Sequence, residues 1–346
     1  MIRIAEDDLK HVLKYTKTIW EHVKGKNIFI TGGTGFFGKW LLESFLYANK
    51  KQNLNASITI LSRYPEKFLE EFPFYKDHEE VIFLKGNVID FKFPNGKYHF
   101  IIHAATEADA SLNTEFPLLM LDTIVQGTRR ILEFAKEKQV ESFLLISSGA
   151  VYGKQPFDIT HIKESDSFFI DINNPNSAYA EGKRVSELYS SIYYKRFGIP
   201  IKIARCFAFV GPYLPLYKHF AIGNFILNGL KSEDIIIKGD GTPYRSYLYA
   251  GDLAIWLWTI LINGNINTPY NVGSDFAINI KETAEAVSDA FDNKIGYKIL
   301  QNYSGKPIER YVPSVSNATN NLGLKVYINI SNSIKKTISF YSINKF

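Results

Sequence analysis

Short apolar runs alternate with longer amphipathic stretches through the first two thirds of the chain. The apolar runs have strand-like composition and lie at residues 27–31, 57–61, 81–84, 100–103, 142–147 and 201–205. Between them, apolar residues recur at helical spacing over residues 39–47, 118–138 and 178–197. Such alternation is typical of a parallel sheet covered by helices on both faces. The pattern therefore predicts an α/β fold with a doubly wound (Rossmann) parallel sheet.

The regular alternation ends after about Cys206. Turns rich in Gly and Pro follow, such as Val-Gly-Pro-Tyr-Leu-Pro at residues 210–215, together with short apolar runs such as 235–238. This change predicts a smaller mixed α/β domain that binds the substrate. We expect a dinucleotide-binding domain at residues 1–205 plus about 245–275, and a substrate-binding domain at about 206–244 plus 276–346.

Two segments bear on where the protein is found. Residues 6–20 carry apolar positions at helical spacing among mixed charges, without the apolar core or cleavage site of a signal peptide, and so predict a leading helix. The most apolar run, residues 253–262, is about half as long as a membrane-spanning helix and is predicted to be a buried helix. We therefore expect a cytoplasmic protein that makes no membrane contact.

Composition narrows the classes of function. Apolar residues make up 46% of the 346 residues, which is ordinary for a globular protein. The 40 basic and 35 acidic residues are spread along the chain without a polybasic block, so nucleic acid is not an expected partner, whereas a phosphorylated ligand suits the slight basic excess. Cys206 is the single cysteine, which excludes an intramolecular disulfide and a cysteine-based zinc site. We expect no metal.

A glycine-rich turn directly follows the first predicted strand. Its sequence is Thr31-Gly-Gly-Thr-Gly-Phe-Phe-Gly38, and a predicted helix comes next. Residues without side chains let backbone N–H groups reach a pyrophosphate at a helix N-terminus. The strand, turn and helix together predict a dinucleotide site, with a ligand-free turn as the alternative. The predicted pyrophosphate-binding residues are Gly32, Thr34, Gly35, Phe36, Phe37 and Gly38.

The end of the second predicted strand bears on the choice of cofactor. A carboxylate at this place hydrogen-bonds the ribose 2′-hydroxyl of NAD, but this chain has Ser62 and Arg63 instead. A hydroxyl and a cation suit a 2′-phosphate, so NADP(H) is favoured. NAD(H) remains open, because Arg63 could equally lie along the adenine or on a solvated loop.

Tyr179 and Lys183 stand four residues apart in a predicted helix, so both side chains project from one face. A phenol ionises near pH ~10 in water, so a tyrosine that acts as a base near pH ~7 needs roughly 4 kcal/mol of phenolate stabilisation. An ammonium group about 4 to 5 Å away supplies about that much at an effective dielectric constant of ~20. The four-residue spacing alone is weak evidence for a catalytic pair, because a chain with 21 tyrosines contains such pairs by chance.

The glycine turn, the segment Ser147-Ser-Gly-Ala-Val-Tyr-Gly153 and the Tyr179/Lys183 pair occur in this order. In this combination the chain resembles the extended short-chain dehydrogenase/reductases, the NAD(P)-dependent sugar-nucleotide epimerase/dehydratase family. The resemblance covers roughly residues 25 to 325 and extends to His103-Ala-Ala, Gly127-Thr, Gly239-Asp-Gly-Thr-Pro-Tyr-Arg245, Tyr249-Ala-Gly-Asp252, and Arg310 ahead of residues 316–323.

The resemblance implies roles for these residues. Tyr179 would exchange a proton with a sugar hydroxyl, Lys183 would stabilise the phenolate and hold the nicotinamide ribose, and Ser148 would hydrogen-bond the reacting oxygen. Ser147 is the alternative to Ser148, since strand side chains alternate and only one of the two should face the site. Tyr179 and Lys183 would also bind the cofactor, together with Asn87, Val88, Ala104, Ala105, Thr106 and Ile146, and the substrate-binding residues are Ser148, Ala208, Arg245 and Arg310.

The chain departs from the family pattern at several positions. The 4,6-dehydratases carry an Asp-Glu pair where this chain has Gly149 and Ala150, and the decarboxylases usually keep the Glu. Neither residue can move a proton, which disfavours both reactions. Asn87 replaces the Asp that commonly meets the adenine, although its amide oxygen can accept the same hydrogen bond. Ala208 stands where the family often has a substrate-facing Asn.

The resemblance and these departures together predict oxidoreduction at one carbon of a nucleotide-diphosphate sugar. The protein would be an epimerase or a ketosugar reductase in surface-glycan or deoxysugar biosynthesis. The alternatives are a 4,6-dehydratase, a short-chain reductase of a small non-nucleotide carbonyl compound, and, least favoured, a non-catalytic NADP(H)-binding sensor. By resemblance we also expect a homodimer formed through the helices near residues 118–138 and 178–197.

Overall fold

The computed structural model describes residues 3–106, 110–218 and 220–344, which form two compact units. The first unit comprises the chain up to Val151, Ile170–Arg205 and Ala254–Tyr270. The second comprises Tyr152–Phe169, Cys206–Leu253 and the chain from Asn271 onward. Residues 152–169 thus belong to the second unit, whereas the sequence-based expectation assigned them to the first.

The strands and helices are numbered in chain order. The strands are β1 (Asn27–Thr31), β2 (Ser57–Ser62), β3 (Val81–Lys85), β4 (Phe100–His103), β5 (Ser142–Ser148), β6 (Ile201–Cys206), β7 (Phe209–Val210), β8 (Ile235–Ile237), β9 (Tyr244–Arg245), β10 (Leu248–Tyr249), β11 (Pro269–Val272), β12 (Ile278–Asn279) and β13 (Tyr297–Ile299). The α-helices are α1 (Glu6–Thr16), α2 (Phe36–Gln52), α3 (Pro65–Glu71), α4 (Ala110–Glu115), α5 (Pro117–Lys138), α6 (Ala178–Phe197), α7 (Ala221–Leu230), α8 (Ala250–Asn263), α9 (Ile280–Ser288), α10 (Ser316–Leu322) and α11 (Ile330–Ile343).

A seven-stranded sheet has the order β11-β6-β5-β4-β1-β2-β3. The pairings of β1 with β2 and β4, of β2 with β3, and of β4 with β5 are all parallel. The order reverses direction at β1, which is the switch point where ligands bind in open α/β sheets. The predicted Rossmann fold is confirmed, and each of the six predicted strands is present.

The core on one face of the sheet is largely aromatic and lies under α5 and α6. Phe29 of β1 packs against Phe91, Tyr98 and Phe134, with ring centroids 5.6, 5.5 and 4.8 Å away. Ile131, Leu132 and Tyr193 of the two helices belong to the same buried cluster. Burying one such side chain contributes roughly 1.5 to 3 kcal/mol. This packing fixes α6 against the sheet.

Two tryptophans anchor the leading segment in the first unit. The rings of Trp20 and Trp258 lie 4.8 Å apart, and the Trp258 indole N–H donates to Ser44 of α2 at 2.9 Å. The predicted leading helix is α1, followed by a 3-10 turn at Ile19–Val23. The predicted buried helix at 253–262 lies within α8, and none of the helices in the described ranges is long and apolar enough to cross a membrane.

The second unit combines three small sheets with helices α7, α9, α10 and α11. Strand β7 pairs with β10 and β8 with β13 in parallel, whereas β9 and β12 are antiparallel. The buried Asp252 carboxylate accepts the backbone N–H groups of Tyr327 and Ile328 at 2.8 and 2.9 Å. This unit has the mixed α/β character that the irregular sequence pattern predicts.

Candidate active site

Helix α6 carries the predicted catalytic pair, and its first turn is held by side chains outside the helix. The Asn113 carboxamide accepts the Tyr179 backbone N–H at 3.0 Å and donates to the Asn176 carbonyl at 2.7 Å. Asn174 accepts from the Asn176 N–H in the 3-10 turn that leads into the helix. The helix ends at Gly198, which adopts the left-handed conformation. The start of the helix is therefore fixed next to Tyr179.

Lys183 lies one turn after Tyr179 and is buried, with 5% of its surface exposed. Its ammonium nitrogen is 5.9 Å from the centroid of the Tyr179 ring. It donates to the Ile146 carbonyl at 2.8 Å and to the Thr106 hydroxyl at 3.2 Å. The structure thus brings Lys183 together with Tyr179 and with two of the residues predicted to bind the cofactor.

The two serines at the end of β5 have different hydrogen-bond partners. The Ser147 hydroxyl donates to Glu187 of α6 at 2.6 Å. The Ser148 hydroxyl accepts from the Ala150 N–H at 3.1 Å, and its hydrogen is donated to no group in the described parts of the chain. Arg205 holds the Glu187 carboxylate with N–O distances of 2.7 and 3.0 Å. Ser147 therefore has a structural partner, while Ser148 keeps a hydrogen to donate.

The glycine turn packs closely on the end of β4. Gly32 has φ of 73°, and a Cβ there would clash with the Ala104 carbonyl. A Cβ on Gly38 would clash with the backbone of Gly33. These two glycines are required by packing inside the turn, which also contains the half-buried Thr34.

Gly35 differs from the other glycines of the turn. It is exposed, and a Cβ there would meet only the Gly32 carbonyl oxygen, at 3.4 Å. It precedes α2, which starts at Phe36 without a side-chain cap and without acidic residues in its first turn. The first N–H groups of a helix have no partner inside that helix, so this open, uncapped end suits a pyrophosphate. The predicted residues Phe36, Phe37 and Gly38 form its first turn.

The end of β2 holds Ser62, which is in register with Lys85 of β3. The Ser62 hydroxyl accepts the Tyr64 N–H at 3.3 Å, and the exposed Arg63 guanidinium lies 6.0 Å from the Tyr64 ring centroid. Lys85 is paired with Glu66 at 3.0 Å, so Arg63 is the cation that this strand end offers to a ligand.

Asn87 and Val88 follow β3. The Asn87 carboxamide accepts the Ile89 N–H at 3.4 Å, which closes a short turn. Val88 is buried against Gly127 of α5, where a Cβ would come within 2.9 Å of a Val88 methyl group. Gly127 therefore allows α5 to approach this loop.

In the second unit, Tyr244 brings the two predicted substrate arginines together. The Arg310 guanidinium lies 4.3 Å from the Tyr244 ring centroid, and Arg245 donates to the Tyr244 carbonyl at 2.8 Å. Lys154, with a smaller contribution from Arg245, lowers the pKa of Glu309. Ala208, the remaining predicted substrate residue, is half-buried and its carbonyl accepts the Leu248 N–H at 3.0 Å.

A family model now identifies the chain. The model described as the NAD dependent epimerase/dehydratase family matches residues 28–273. The chain belongs to this family. The match begins in β1, includes the glycine turn, Ser148, Tyr179 and Lys183, and ends just after β11.

Individual relatives have different activities. UDP-glucuronic acid decarboxylase 1 of Danio rerio is 26% identical over 343 residues, covering 98% of this chain and 78% of that protein. A UDP-N-acetylglucosamine 4-epimerase from Methanobrevibacter ruminantium, solved with UDP-N-acetylmuramic acid, has a TM-score of 0.79 and 23% identity, covering 93% of this chain and 100% of that one. A dTDP-glucose 4,6-dehydratase from Bacillus anthracis, solved with NAD, has a TM-score of 0.74 and 21% identity, covering 92% and 97%. At these identities the two solved structures establish a shared fold.

The epimerase/dehydratase family is NAD-dependent, and the observed glycine turn fits that cofactor. The exposed Gly35 and the uncapped start of α2 would hold the pyrophosphate, and Lys183, Thr106 and Ile146 meet at the end of β4 and β5. No cluster of three or more metal-ligating side chains occurs among the described residues.

Sequence reasoning missed two residues that position the catalytic helix. Glu187 lies four residues after Lys183, so the spacing that linked Tyr179 to Lys183 also placed Glu187 on the same helix face. Asn113 left no such signal, because its contact with Tyr179 spans 66 residues of sequence.

Proposed function

We propose that the protein catalyses NAD(P)-dependent oxidoreduction at one carbon of a nucleotide-diphosphate sugar, as an epimerase or a ketosugar reductase. The observation that carries this proposal is the combination of Ser148, Tyr179 and Lys183 with two neighbours, Gly149 and Ala150, that cannot transfer protons. This set provides one proton carrier beside a dinucleotide turn.

Tyr179 exchanges a proton with the hydroxyl on the reacting carbon. The buried Lys183 ammonium stabilises the phenolate form of Tyr179, an interaction worth about 3 kcal/mol at a separation of ~5 Å and an effective dielectric constant of ~20. A nicotinamide cofactor, when bound, would supply the hydride exchange with the same carbon. Oxidation and re-reduction of one carbon need no other acid or base.

Ser148 orients the reacting oxygen. Its hydroxyl accepts the Ala150 N–H, so its hydrogen remains to be donated to a substrate oxygen. A donor fixed in this way stabilises charge that develops on the oxygen as the proton moves. Ser147 is not suited to this task, because its hydrogen is used by Glu187.

Loss of water or of CO2 is less well supported. Residues 149 and 150 lie in the 3-10 turn that follows Ser148, and they offer neither the carboxylate nor the carboxylic acid that expulsion of a hydroxyl requires. The decarboxylase and dehydratase activities of the relatives nevertheless define the alternative products that an assay must detect.

NADP(H) is the proposed cofactor within this NAD(P)-dependent reaction. Arg63 at the end of β2, together with the Ser62 hydroxyl, provides a cationic and a neutral donor for a 2′-phosphate. A carboxylate for the 2′-hydroxyl of NAD is absent from residues 62 to 64.

The two arginines of the second unit are the proposed ligands of the substrate diphosphate. Arg245 and Arg310 both contact Tyr244, and a guanidinium group can bind phosphate oxygens through two parallel hydrogen bonds. Ala208 would border the sugar with its small side chain.

A homodimer through α5 and α6 is part of the proposal. Leu118 is 76% exposed on α5, and Leu188 and Ile192 are 60% and 40% exposed on α6. Leu188 and Ile192 are four residues apart and thus share one face of α6. Two helices with exposed apolar faces fit a four-helix bundle with a second copy.

The activity test is a panel of UDP-, dTDP-, GDP- and CDP-sugars incubated with the purified protein and NADP+ or NAD+, and of the matching 4-ketosugars incubated with NADPH or NADH. Products are analysed by mass spectrometry and NMR while cofactor absorbance is followed. A product of unchanged mass without net cofactor consumption identifies an epimerase, and gain of two hydrogens with stoichiometric cofactor oxidation identifies a reductase. Loss of water or CO2 would contradict the proposal, as would turnover that survives Tyr179→Phe.

A further inference from the structure

A continuous line of buried side chains connects the glycine turn to the catalytic helix. Thr31, the last residue of β1, contacts His103 Nδ1 at 2.8 Å, and His103 Nε2 contacts the Thr128 hydroxyl of α5 at 3.2 Å. Thr128 contacts the Ser186 hydroxyl of α6 at 2.8 Å, and Ser186 donates to the Gly182 carbonyl at 3.0 Å. Thr31, His103, Thr128 and Ser186 are each less than 4% exposed.

The direction of every hydrogen bond in this line follows from counting hydrogens. A hydroxyl has one hydrogen, and Ser186 uses its own for the Gly182 carbonyl, which can only accept. Thr128 must therefore donate to Ser186, and so it must accept from His103 Nε2. His103 Nδ1 is then the unprotonated nitrogen and accepts from the Thr31 hydroxyl.

The surroundings of His103 agree with this neutral form. Burial, with a smaller contribution from Lys183, lowers the pKa of His103 to about 3. A doubly protonated ring would place an Nδ1–H donor against the Thr31 hydroxyl, which donates in the opposite direction in the neutral form, and would break the order of the line. The Thr31 oxygen also accepts the Ala105 N–H at 3.1 Å, so the loop after β4 is tied to the same residue.

We propose that His103 is a positioning residue, which as the Nε2–H tautomer links the dinucleotide turn to α6 through Thr128 and Ser186. The line ends at Gly182, the residue before Lys183, and begins at Thr31, the residue before Gly32. It thereby fixes the position of Lys183 relative to Thr106 and Ile146. Movement of the glycine turn on cofactor binding is transmitted through it to α6. The catalytic consequence rests on the proposed function, whereas the tautomer and the linkage do not.

The tautomer is tested first, in the cofactor-free protein. Histidine labelled with 15N in the ring gives separate two-bond correlation patterns for the two neutral tautomers, and His103→Gln identifies the resonance of this residue. We expect the Nε2–H pattern, unchanged between pH 5 and pH 9 because the ring stays neutral. The Nδ1–H pattern, or a ring that protonates in this range, would overturn the proposal.

Thr128→Val removes one hydroxyl from the line at nearly constant shape, and Thr128→Ser restores it. Ser190→Ala is the matched control, because the buried Ser190 hydroxyl donates to the Ser186 carbonyl at 2.9 Å on the same helix and lies outside the line. Amide hydrogen exchange compares the three variants with the wild type. We expect at least about tenfold faster exchange at residues 182–186 in Thr128→Val alone, as a buried donor loses its partner.

The linkage is read from the effect of the cofactor on the same amides. NADPH should slow exchange at residues 182–186 in the wild type, Thr128→Ser and Ser190→Ala, but not in Thr128→Val, although all four bind NADPH. Equal protection in Thr128→Val and Ser190→Ala would overturn the proposal. If the wild type bound no dinucleotide, the proposed function would fail, while the tautomer and the cofactor-free exchange would still decide the role of His103.

Discussion

The Ser147 hydroxyl donates to the Glu187 carboxylate at 2.6 Å, and this contact supports the proposal that the neighbouring Ser148 donates to the reacting oxygen. Glu187 is fixed in turn by the bidentate Arg205, so β5, β6 and α6 are joined by one charged group. Because neighbouring strand side chains point to opposite faces, holding Ser147 on one side leaves Ser148 on the other.

Ser148→Ala and Ser147→Ala form a pair that separates these roles. We expect Ser148→Ala to lower kcat by about 10²- to 10³-fold, since a donor to the reacting oxygen is lost. Ser147→Ala should keep kcat within about threefold while lowering the free energy of unfolding by about 1 kcal/mol, the value of one hydrogen bond. Steady-state kinetics and urea unfolding measure both effects, and the reverse ranking of the two kcat values would contradict the assignment.

Tyr179→Phe removes the proton carrier without changing the ring. We expect kcat to fall by about 10²- to 10⁴-fold because the proton transfer is lost, with a smaller effect on cofactor affinity than that of Lys183→Met. Lys183→Met should lower kcat and also weaken cofactor binding, since Lys183 lies against Thr106 and Ile146. Fluorescence titration with NADPH distinguishes the two. A Tyr179→Phe enzyme with full activity would exclude the phenol as the proton carrier.

Arg63→Ala tests the cofactor preference. Loss of a charged hydrogen bond to a phosphate costs about 1.5 to 3 kcal/mol, so we expect the Kd for NADPH to rise by about 10- to 100-fold. The Kd for NADH should change by less than about twofold, because NADH has no 2′-phosphate. Arg196→Ala, an exposed arginine in the last turn of α6, is the control and should alter neither value. Equal weakening of both cofactors by Arg63→Ala would favour NAD.

Lys202 gives the stability of the protein a specific pH dependence. Its ammonium group is buried between Ser142 and the Leu261 carbonyl, and burial lowers the pKa of Lys202 to about 8, from 10.5. Between about pH 8 and pH 10.5 the unfolded chain therefore holds a proton that the folded chain has lost, so stability rises with pH by up to about 3 kcal/mol. Below pH 8 Lys202 is charged in both the folded and the unfolded chain, so the full free-energy cost of burying its ammonium group is present.

Lys202→Met should remove that rise. The Leu261 carbonyl keeps a partner in the variant, because Ser142 donates to it at 2.6 Å. Urea unfolding at a series of pH values from 7 to 10.5 measures the difference between wild type and variant. We expect this difference to shift in favour of the wild type by about 3 kcal/mol across the range. Lys17→Met, at an exposed lysine, is the control. The prediction would be refuted if the free energies of unfolding of the wild type and Lys202→Met changed in parallel with pH.

Leu188→Glu tests the dimer. A charge on the exposed apolar face of α6 should convert a dimer to a monomer in multi-angle light scattering, because an unpaired carboxylate would be desolvated at the interface. Thermal stability at high dilution should match that of the wild type. Ile343→Glu, which alters a residue that is 77% exposed on α11, should leave the dimer intact. A wild type that is monomeric at all concentrations would disprove the predicted assembly.

The local elements of the fold followed closely from sequence. The strands at 27–31 and 100–103 and the helix at 178–197 have the predicted ends, since each apolar run is bounded by a glycine, a polar residue or a change of period. Strand β11 at Pro269–Val272 was missed, because four residues after a turn carry too little pattern to be distinguished from a loop. The leading helix stops at Thr16, and a 3-10 turn carries the chain on to Val23.

Contacts between distant segments could not be derived in the same way. Residues 152–169 follow β5 in sequence, yet Ile162 accepts and donates backbone hydrogen bonds with Val312 and Ser314, which places this segment in the second unit. Asn113 and Tyr179 likewise meet across 66 residues. Nothing local in either segment encodes its partner.

The sequence by itself predicted the Rossmann sheet, the glycine turn and the Tyr179/Lys183 pair, because hydrophobic period, glycine spacing and the four-residue repeat of a helix are all local properties. Ser148 was added by the resemblance to the family. Only the tertiary structure decided that Ser147 donates to Glu187, that Lys183 contacts Thr106 and Ile146, and that His103 lies between Thr31 and Thr128. The orientation of a hydroxyl or the tautomer of a ring depends on which partners the packed chain brings within about 3 Å, and those partners lie far away in sequence.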